Sequence, residues 1–349
     1  MKKGLFQAVL LVVPLALGIS PGFSQTSSEL KAVLSQKIGL NQDQISAILN
    51  GRPFATNLES RSPAEVLVFG VAYINATPER YVKFATDFGR LQQMGGFLAI
   101  KRFSTPPQAS DLRGFDLDSD DVKKLKSCKP GECVVQLPGS KMEELRKSVN
   151  WSAANVDDQV NQLLQRETLS RLVLYQKEGS RVPDVVYNDK NEQVNRIDQF
   201  KYLISYAQTL QRDLPEFYNY ILNYPEAKPA NVEDSFYWDS VQFGLKPTLR
   251  VVHVLTMRGD KPGEPAYVIA EKQLYSSHYF ETALDLTYCI RGSDNPKESG
   301  FYLVKVMGSE QAGLTGFKGS IVRKVAVGRS VSGLQKSLAS IKQALEGQE

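Results

Sequence analysis

Histidine and cysteine are scarce in this sequence, which has 2 histidines and 3 cysteines among 349 residues. A zinc site needs a tetrahedral set of mostly nitrogen and sulfur ligands, and such a set is hard to assemble here. The sequence also lacks a Gly-x-Ser-x-Gly nucleophile elbow, a phosphate-binding glycine loop and a dinucleotide fingerprint, each of which has a recognisable spacing. We therefore expect no metal and no cofactor.

Basic runs and long apolar runs are lacking too, except at the start of the chain. The formal net charge is +4, and no lysine- and arginine-rich stripe suited to nucleic acid occurs, so we expect no nucleic-acid partner. Residues 5–19 are apolar, follow Lys2 and Lys3, and precede small residues around Ser24. This order is typical of a secretory signal peptide, and its apolar part is too short to span a bilayer.

The predicted signal peptide leads to expectations about location. We expect cleavage near Ser24, a periplasmic or secreted protein, and no integral membrane span in the mature chain. A retained signal anchor is the alternative, since it would share the basic start and the apolar middle.

Two of the cysteines, Cys128 and Cys133, lie close together in "SCKPGECVVQLPG", with a Pro-Gly turn between them. In an oxidising compartment this arrangement predicts a small disulfide loop. Half of a metal site is the competing interpretation. Cys289 is left over in an apolar strand pattern, where a buried, inert thiol is expected.

Two stretches of the sequence resemble a known superfamily. In "YINATPERYVKFATDFGRLQQM" a strand leads through a polar turn and a proline into a helix, and "FKGSIVRKVAVGRSVSGLQKSLASIKQALE" ends in a long amphipathic helix. Both stretches are similar to the START and polyketide-cyclase, or helix-grip, superfamily, over roughly residues 66–101 and 236–345. The resemblance implies an α+β fold in which a curved antiparallel sheet grips the C-terminal helix. It also implies a cavity between them for an apolar or amphipathic small molecule.

The mainly helical stretch between these two parts has no counterpart in the minimal superfamily fold, and we interpret it as an insertion. The predicted division of the chain is a signal peptide (1–24), an N-terminal helical segment (25–52), the first part of the START-like domain (53–103), the helical insertion with the Cys128–Cys133 loop (104–231), and the second part with the C-terminal helix (232–349).

Aromatic and histidine side chains of the second part are the candidate ligand-binding residues, because tyrosine and tryptophan offer apolar area with one hydrogen-bonding group. They are Tyr237, Trp238, His253, Tyr267, His278, Phe280 and Tyr288. We expect His278 and Phe280 on one face of a single strand, with Glu281 and Asp285 on the other. The alternative for the aromatic residues is a hinge core between insertion and sheet, and for the histidines an ordinary buried position with a partner.

Three classes of function remain open at this point. The favoured one is an exported protein that binds a lipid-like hydrophobic or amphipathic molecule, since a cavity is implied and catalytic constellations are missing. An envelope protein-protein interaction module would instead use the helical insertion. A cyclase- or hydrolase-like enzyme would need a histidine and a second titratable group within hydrogen-bond reach inside the cavity.

Overall fold

The structure is a computed structural model that describes residues 27–93, 96–130, 132–133, 135–182, 185–187, 193–243, 246–261, 264–292, 300–311, 313–314 and 316–347. The signal peptide predicted for residues 1–24 lies outside the described residues. None of the helices in these ranges is both long and apolar enough to cross a bilayer.

Eight strands form one antiparallel sheet in the described part of the chain, in the order β1-β2-β10-β9-β8-β7-β6-β3. The two edge strands have 4 residues each, and short edges offer little template for pairing with another chain. A separate hairpin consists of β4 (Val185–Tyr187) and β5 (Gln193–Asn195). The strands of the large sheet are β1 (Phe54–Asn57), β2 (Glu65–Ile74), β3 (Ala99–Arg102), β6 (Val232–Phe243), β7 (Lys246–Arg258), β8 (Tyr267–Ser276), β9 (Phe280–Arg291) and β10 (Phe301–Gln311).

Helices precede the sheet strands, separate them and follow them. Thr77 caps the third helix by accepting a hydrogen bond from the Arg80 backbone N–H, and Pro78 occupies its first turn, as the sequence predicts. The helices are α1 (Ser27–Gln36), α2 (Gln42–Leu49), α3 (Pro78–Ala85), α4 (Phe88–Gln93), α5 (Ser119–Leu125), α6 (Gly139–Ser148), α7 (Val156–Glu178), α8 (Arg196–Ile204), α9 (Gln208–Asp213), α10 (Pro215–Asn223) and α11 (Gly316–Glu346).

One face of the sheet, here called the α11 face, is covered by α3 and the C-terminal half of α11. Leu334 and Leu338 pack on β2, where a Cβ on Gly70 would lie only 2.7 Å and 2.8 Å from their methyl carbons. This contact explains why a glycine occupies the middle of a buried strand: the helix lies directly on the backbone.

The opposite face, here called the α7 face, is covered by α1 and α2 and by helices of the 104–231 segment. Side chains that alternate with those of the α11 face point into this layer, for example Phe69 of β2, Leu286 of β9 and Leu255 of β7. Both faces of β2 are therefore buried, as its continuous apolar sequence predicts.

The antiparallel sheet, the α+β class and the C-terminal helix are confirmed, and so is the Cys128–Cys133 disulfide. One strand boundary is wrong in the sequence prediction: β9 begins at Phe280, and His278 lies in the turn before it. The reason is Tyr279, whose φ of 62° is incompatible with an extended strand.

Candidate functional site

A cavity of about 120 Å³ lies on the α7 face, between α7, α8 and the strands β7 to β9. The superfamily resemblance predicts a cavity between the sheet and the C-terminal helix instead. On that side of the sheet, Leu334 and Leu338 pack directly against the backbone at Gly70. The apolar walls of the cavity on the α7 face come from both layers: Leu164, Leu172, Phe200, Leu222, Val251 and Leu274.

Helix α7 supplies one wall through a row of residues spaced three or four apart. Leu164, Thr168, Leu172 and Tyr175 all line the cavity, because residues at this spacing share one side of a helix. The helix ends at Gly179, which has a φ of 56° and whose backbone N–H donates to the Tyr175 carbonyl. The C-terminal end of α7 therefore also lines the cavity.

Lys272 of β8 brings a positive charge to the cavity wall. Its side chain is only 7% exposed. The Nζ atom lies 4.0 Å from the centre of the Phe200 ring, 5.5 Å from that of Tyr175, and 3.4 Å from the Ser180 Oγ that it donates to. Cation–π contacts and a hydroxyl stabilise an ammonium group at such a site.

Cations outnumber carboxylates in the lining of the cavity, and two neutral polar atoms of the lining have no hydrogen-bond partner among the described residues. In the part of the chain that the structure describes, the buried Tyr275 hydroxyl and Gln273 Oε1 have no hydrogen-bond partner, which is costly for buried groups. The charged residues of the wall are the cations Arg171, Arg196, Lys201 and Lys272 and the carboxylates Glu167 and Glu281. The arrangement suits an anionic group attached to an apolar body.

His253 lies behind the cavity wall. Its ring is fully buried, stacks on Phe236 with 4.3 Å between ring centres, and places Nδ1 3.2 Å from the Tyr175 hydroxyl. Burial, with a smaller contribution from the charges of Lys272 and Lys228, holds the His253 pKa well below its ordinary value. The imidazole is therefore neutral, and its contact with the cavity runs through Tyr175.

His278 belongs to an ion-pair cluster away from the cavity. Its Nε2 lies 2.8 Å from Asp121 Oδ2, and Asp121 also pairs with Lys246. The cluster connects α5 to β7 and to the turn before β9. Neither histidine lines the cavity, so the geometry gives no support to acid–base catalysis by a histidine there.

The five aromatic candidates lie in the sheet, and two of them contact the layers packed on it. Tyr237 faces α4, its ring centre 5.4 Å from that of Phe88, and its hydroxyl donates to Glu271. Trp238, on the other side of β6, donates from Nε1 to the Asp111 carbonyl at 2.7 Å. Tyr267 begins β8, and Phe280 and Tyr288 are buried on β9. None of these five lines the cavity.

Sequence reasoning missed the residues that do line the cavity, and one signal could have found them. Lys272 stands in "PAYVIAEKQLY", at a position that alternates with buried apolar residues such as Ala270. A lysine at an inward position of a strand is unusual. It indicates either a counter-charge or a ligand site.

A second charged group, on the α11 face, concerns stability. Arg250 makes two hydrogen bonds to Asp239, and Lys305 lies 4.0 Å from Glu271. Asp285 pairs in register with Glu271 across β8 and β9. Burial first, then the charge of Glu271, raises the pKa of Asp285 to about 7, against the opposing effect of Lys305 and Arg250.

The raised pKa of Asp285 predicts a loss of stability as the pH rises. The pKa is 3.8 in the unfolded chain and about 7 in the folded one, so the folded protein binds this proton more tightly. The free energy of unfolding therefore falls as the pH rises from 3.8 to about 7. Asp285→Asn removes the titrating group, so its free energy of unfolding should fall less as the pH rises. The variant should be more stable than the wild type by about 1–3 kcal/mol at pH 8. Urea unfolding from pH 4 to pH 8 measures this effect.

The control for this experiment is Asp120→Asn, an exposed carboxylate on α5, which should leave the pH profile unchanged. The free energy of unfolding of Asp285→Asn should still fall somewhat with rising pH, because the pKa of Glu310 is also raised to about 7. Burial is the main cause of that shift, followed by the charges of Glu65 and Glu281. A profile of Asp285→Asn identical to that of the wild type would contradict the assignment.

Within the described residues, no group of three or more histidine, cysteine or acidic side chains is placed to hold a metal ion. Compared with protein-family models and with curated proteins, the chain matches none.

Proposed function

We propose that the protein binds a small amphipathic molecule, with an apolar body and an anionic head, in the cavity on the α7 face. The observation that carries the proposal is Lys272, a cation buried in the wall of a largely apolar cavity that four cations and two carboxylates line. An anion there would form charge-assisted hydrogen bonds, which are about twice as strong as neutral ones. The unpartnered Tyr275 hydroxyl could donate to the same group.

The volume of the cavity limits the size of the ligand. A dry cavity of about 150 Å³ holds a molecule such as benzene, and the cavity here is about 120 Å³. A single ring or a short alkyl chain fits such a space, whereas a whole diacyl lipid does not. If the chain has a START-like fold, this ligand lies on the face of the sheet opposite α11, beneath the helices of the 104–231 segment.

A series of carboxylates and matched alcohols tests this proposal. Benzoate and hexanoate should raise the melting temperature, because a ligand that binds only the folded state stabilises it. Dodecanoate should have less effect because its chain exceeds the cavity. Hexanol should bind at least about tenfold more weakly than hexanoate, given that hydrogen bonds to charged groups contribute about 1.5–3 kcal/mol.

The matched variants are Lys272→Met and Lys177→Met. The first replaces the buried cation with an apolar side chain of similar length and should abolish the preference for hexanoate over hexanol. The second changes an exposed lysine of α7 and should keep the preference. Equal binding of acid and alcohol by the wild type, or a melting temperature unchanged by either, would contradict the proposal.

An interaction module working through the 104–231 segment has weaker support. The large apolar side chains exposed there among the described residues are Val173, Leu174 and Tyr202, and the Tyr202 ring is covered by the Arg61 guanidinium at 4.4 Å. The disulfide is compatible with an oxidising location outside the cytoplasm, and that location remains part of the proposal.

A further inference from the structure

The N-terminal half of α11 carries four of the eight large apolar side chains that are exposed among the described residues. Phe317 is 87% exposed, and Ile321, Val322 and Val325 are at least 50% exposed. The helix has 31 residues, about 46 Å at 1.5 Å per residue, but its buried leucines and isoleucine lie between residues 334 and 345. The first half therefore offers a surface that the sheet does not cover.

The four exposed residues, here called the α11 patch, lie together and point away from the sheet. Phe317, Ile321 and Val325 are spaced by four residues and so share one side of the helix. The opposite side is fixed by Arg323, whose guanidinium donates to the carbonyls of Pro63 and Glu65. The patch is thus a continuous apolar strip rather than scattered side chains.

Charge decides between the possible occupants of this surface. Lys318, Lys324 and Arg329 lie within four residues of the patch along the chain, and residues 316–345 contain no aspartate or glutamate. A second copy of this chain would bring the same cations face to face, which is unfavourable. A surface with an apolar interior and anionic groups at its boundary complements both the apolar patch and the cations beside it.

We propose that the α11 patch docks on an anionic lipid surface, with the apolar side chains at the level of the headgroups and the cations against the phosphates. Helices that combine an apolar strip with lysine and arginine lie in the plane of such interfaces. Basic residues near an anionic surface add about 1 kcal/mol each, or about fivefold in affinity. The inference is independent of the cavity ligand, because the patch and the cavity lie on opposite faces of the sheet.

Vesicle sedimentation of the chain from Gln25 onward tests the inference, with phosphatidylcholine vesicles that contain or lack phosphatidylglycerol. The protein should bind the anionic vesicles, and the binding should weaken between about 0.1 M and 1 M salt because the Debye length falls from about 10 Å to 3 Å. Binding to the neutral vesicles should be at least about tenfold weaker.

Two sets of exposed substitutions separate the apolar and charged contributions. Phe317→Ser with Ile321→Ser should weaken binding by about 100-fold or more, since each large apolar side chain buried contributes about 1.5–3 kcal/mol. Lys318→Gln, Lys324→Gln and Arg329→Gln together should weaken it by about 100-fold. The controls are Leu98→Ser and Lys147→Gln, which remove an exposed apolar residue and an exposed cation elsewhere.

The controls should bind like the wild type, and circular dichroism should show the same fold for all variants. Three results would overturn the inference: no binding to anionic vesicles, equal binding to both vesicle types, or the same loss in the controls as in the patch variants. Sedimentation equilibrium showing a dimer that Phe317→Ser dissociates would also overturn it, in favour of self-association.

Discussion

Gly179→Ala should destabilise the folded protein by more than about 3 kcal/mol and abolish ligand binding in the cavity. Gly179 combines a φ of 56° with a ψ of −133°, a conformation that residues with a Cβ rarely adopt. A Cβ there would lie 1.5 Å from the Tyr224 carbonyl oxygen. Because that atom belongs to the backbone, the end of α7 would have to move away from residue 224.

That movement would open the cavity, since Gly179 and Ser180 form part of its lining. It would also separate the stacked rings of Tyr175 and Tyr224, whose centres are 5.1 Å apart. Urea unfolding and hexanoate titration of the same variant measure both consequences. A variant that unfolds within about 1 kcal/mol of the wild type would show that this contact does not hold the end of α7.

The matched control is Gly328→Ala. Gly328 lies within α11, and a Cβ there would meet no atom within 4 Å. Alanine should therefore stabilise the helix by about 0.5–1 kcal/mol, the ordinary difference between the two residues in an exposed helix. The two glycine substitutions are thus expected to change the free energy of unfolding in opposite directions.

Asp121→Ala should destabilise the protein by about 3–5 kcal/mol. The Asp121 side chain is 1% exposed and pairs with both Lys246 and His278. Removing a carboxylate from a buried ion pair leaves the partner's charge without compensation, which costs more than the pair itself contributes. Because the cluster joins α5 to two parts of the sheet, its loss should loosen the helices over the α7 face.

Asp120→Ala is the control, and it changes the neighbouring residue of the same helix. The Asp120 side chain is 77% exposed and lies 3.8 Å from Lys123, so its removal should cost less than about 0.5 kcal/mol. Chemical denaturation of both variants at pH 7 makes the comparison. Equal losses would mean that the pairing of Asp121 with His278 and Lys246 does not stabilise the fold.

The elements that the sequence predicts well are those with local signals. Thr77 and Pro78 mark the start of α3 because capping depends on adjacent residues. Leu334, Leu338, Ile341 and Leu345 recur at helical spacing and are buried together in α11. The Cys128–Cys133 disulfide follows from a short loop with a turn in it.

The cavity could not be predicted in this way, because its walls are far apart in the sequence. Thr168 of α7, Arg196 of α8 and Lys272 of β8 meet only when the helices of the 104–231 segment fold over the sheet. The choice of face also depends on packing: Leu334 and Leu338 occupy the space beside Gly70 on the α11 face. The alternation of side chains along a strand assigns residues to the two faces of the sheet. It does not show on which face a cavity remains.

The most direct test of the central claim is the dissociation constant for hexanoate, measured by titration calorimetry for the wild type, Thr168→Met and Val173→Met. Thr168 lines the cavity, and methionine fills irregular gaps, so this variant should raise the melting temperature and bind at least about tenfold more weakly. Val173 is exposed on the same helix, and its variant should bind like the wild type. Undiminished binding by Thr168→Met, or no binding by the wild type, would contradict the account.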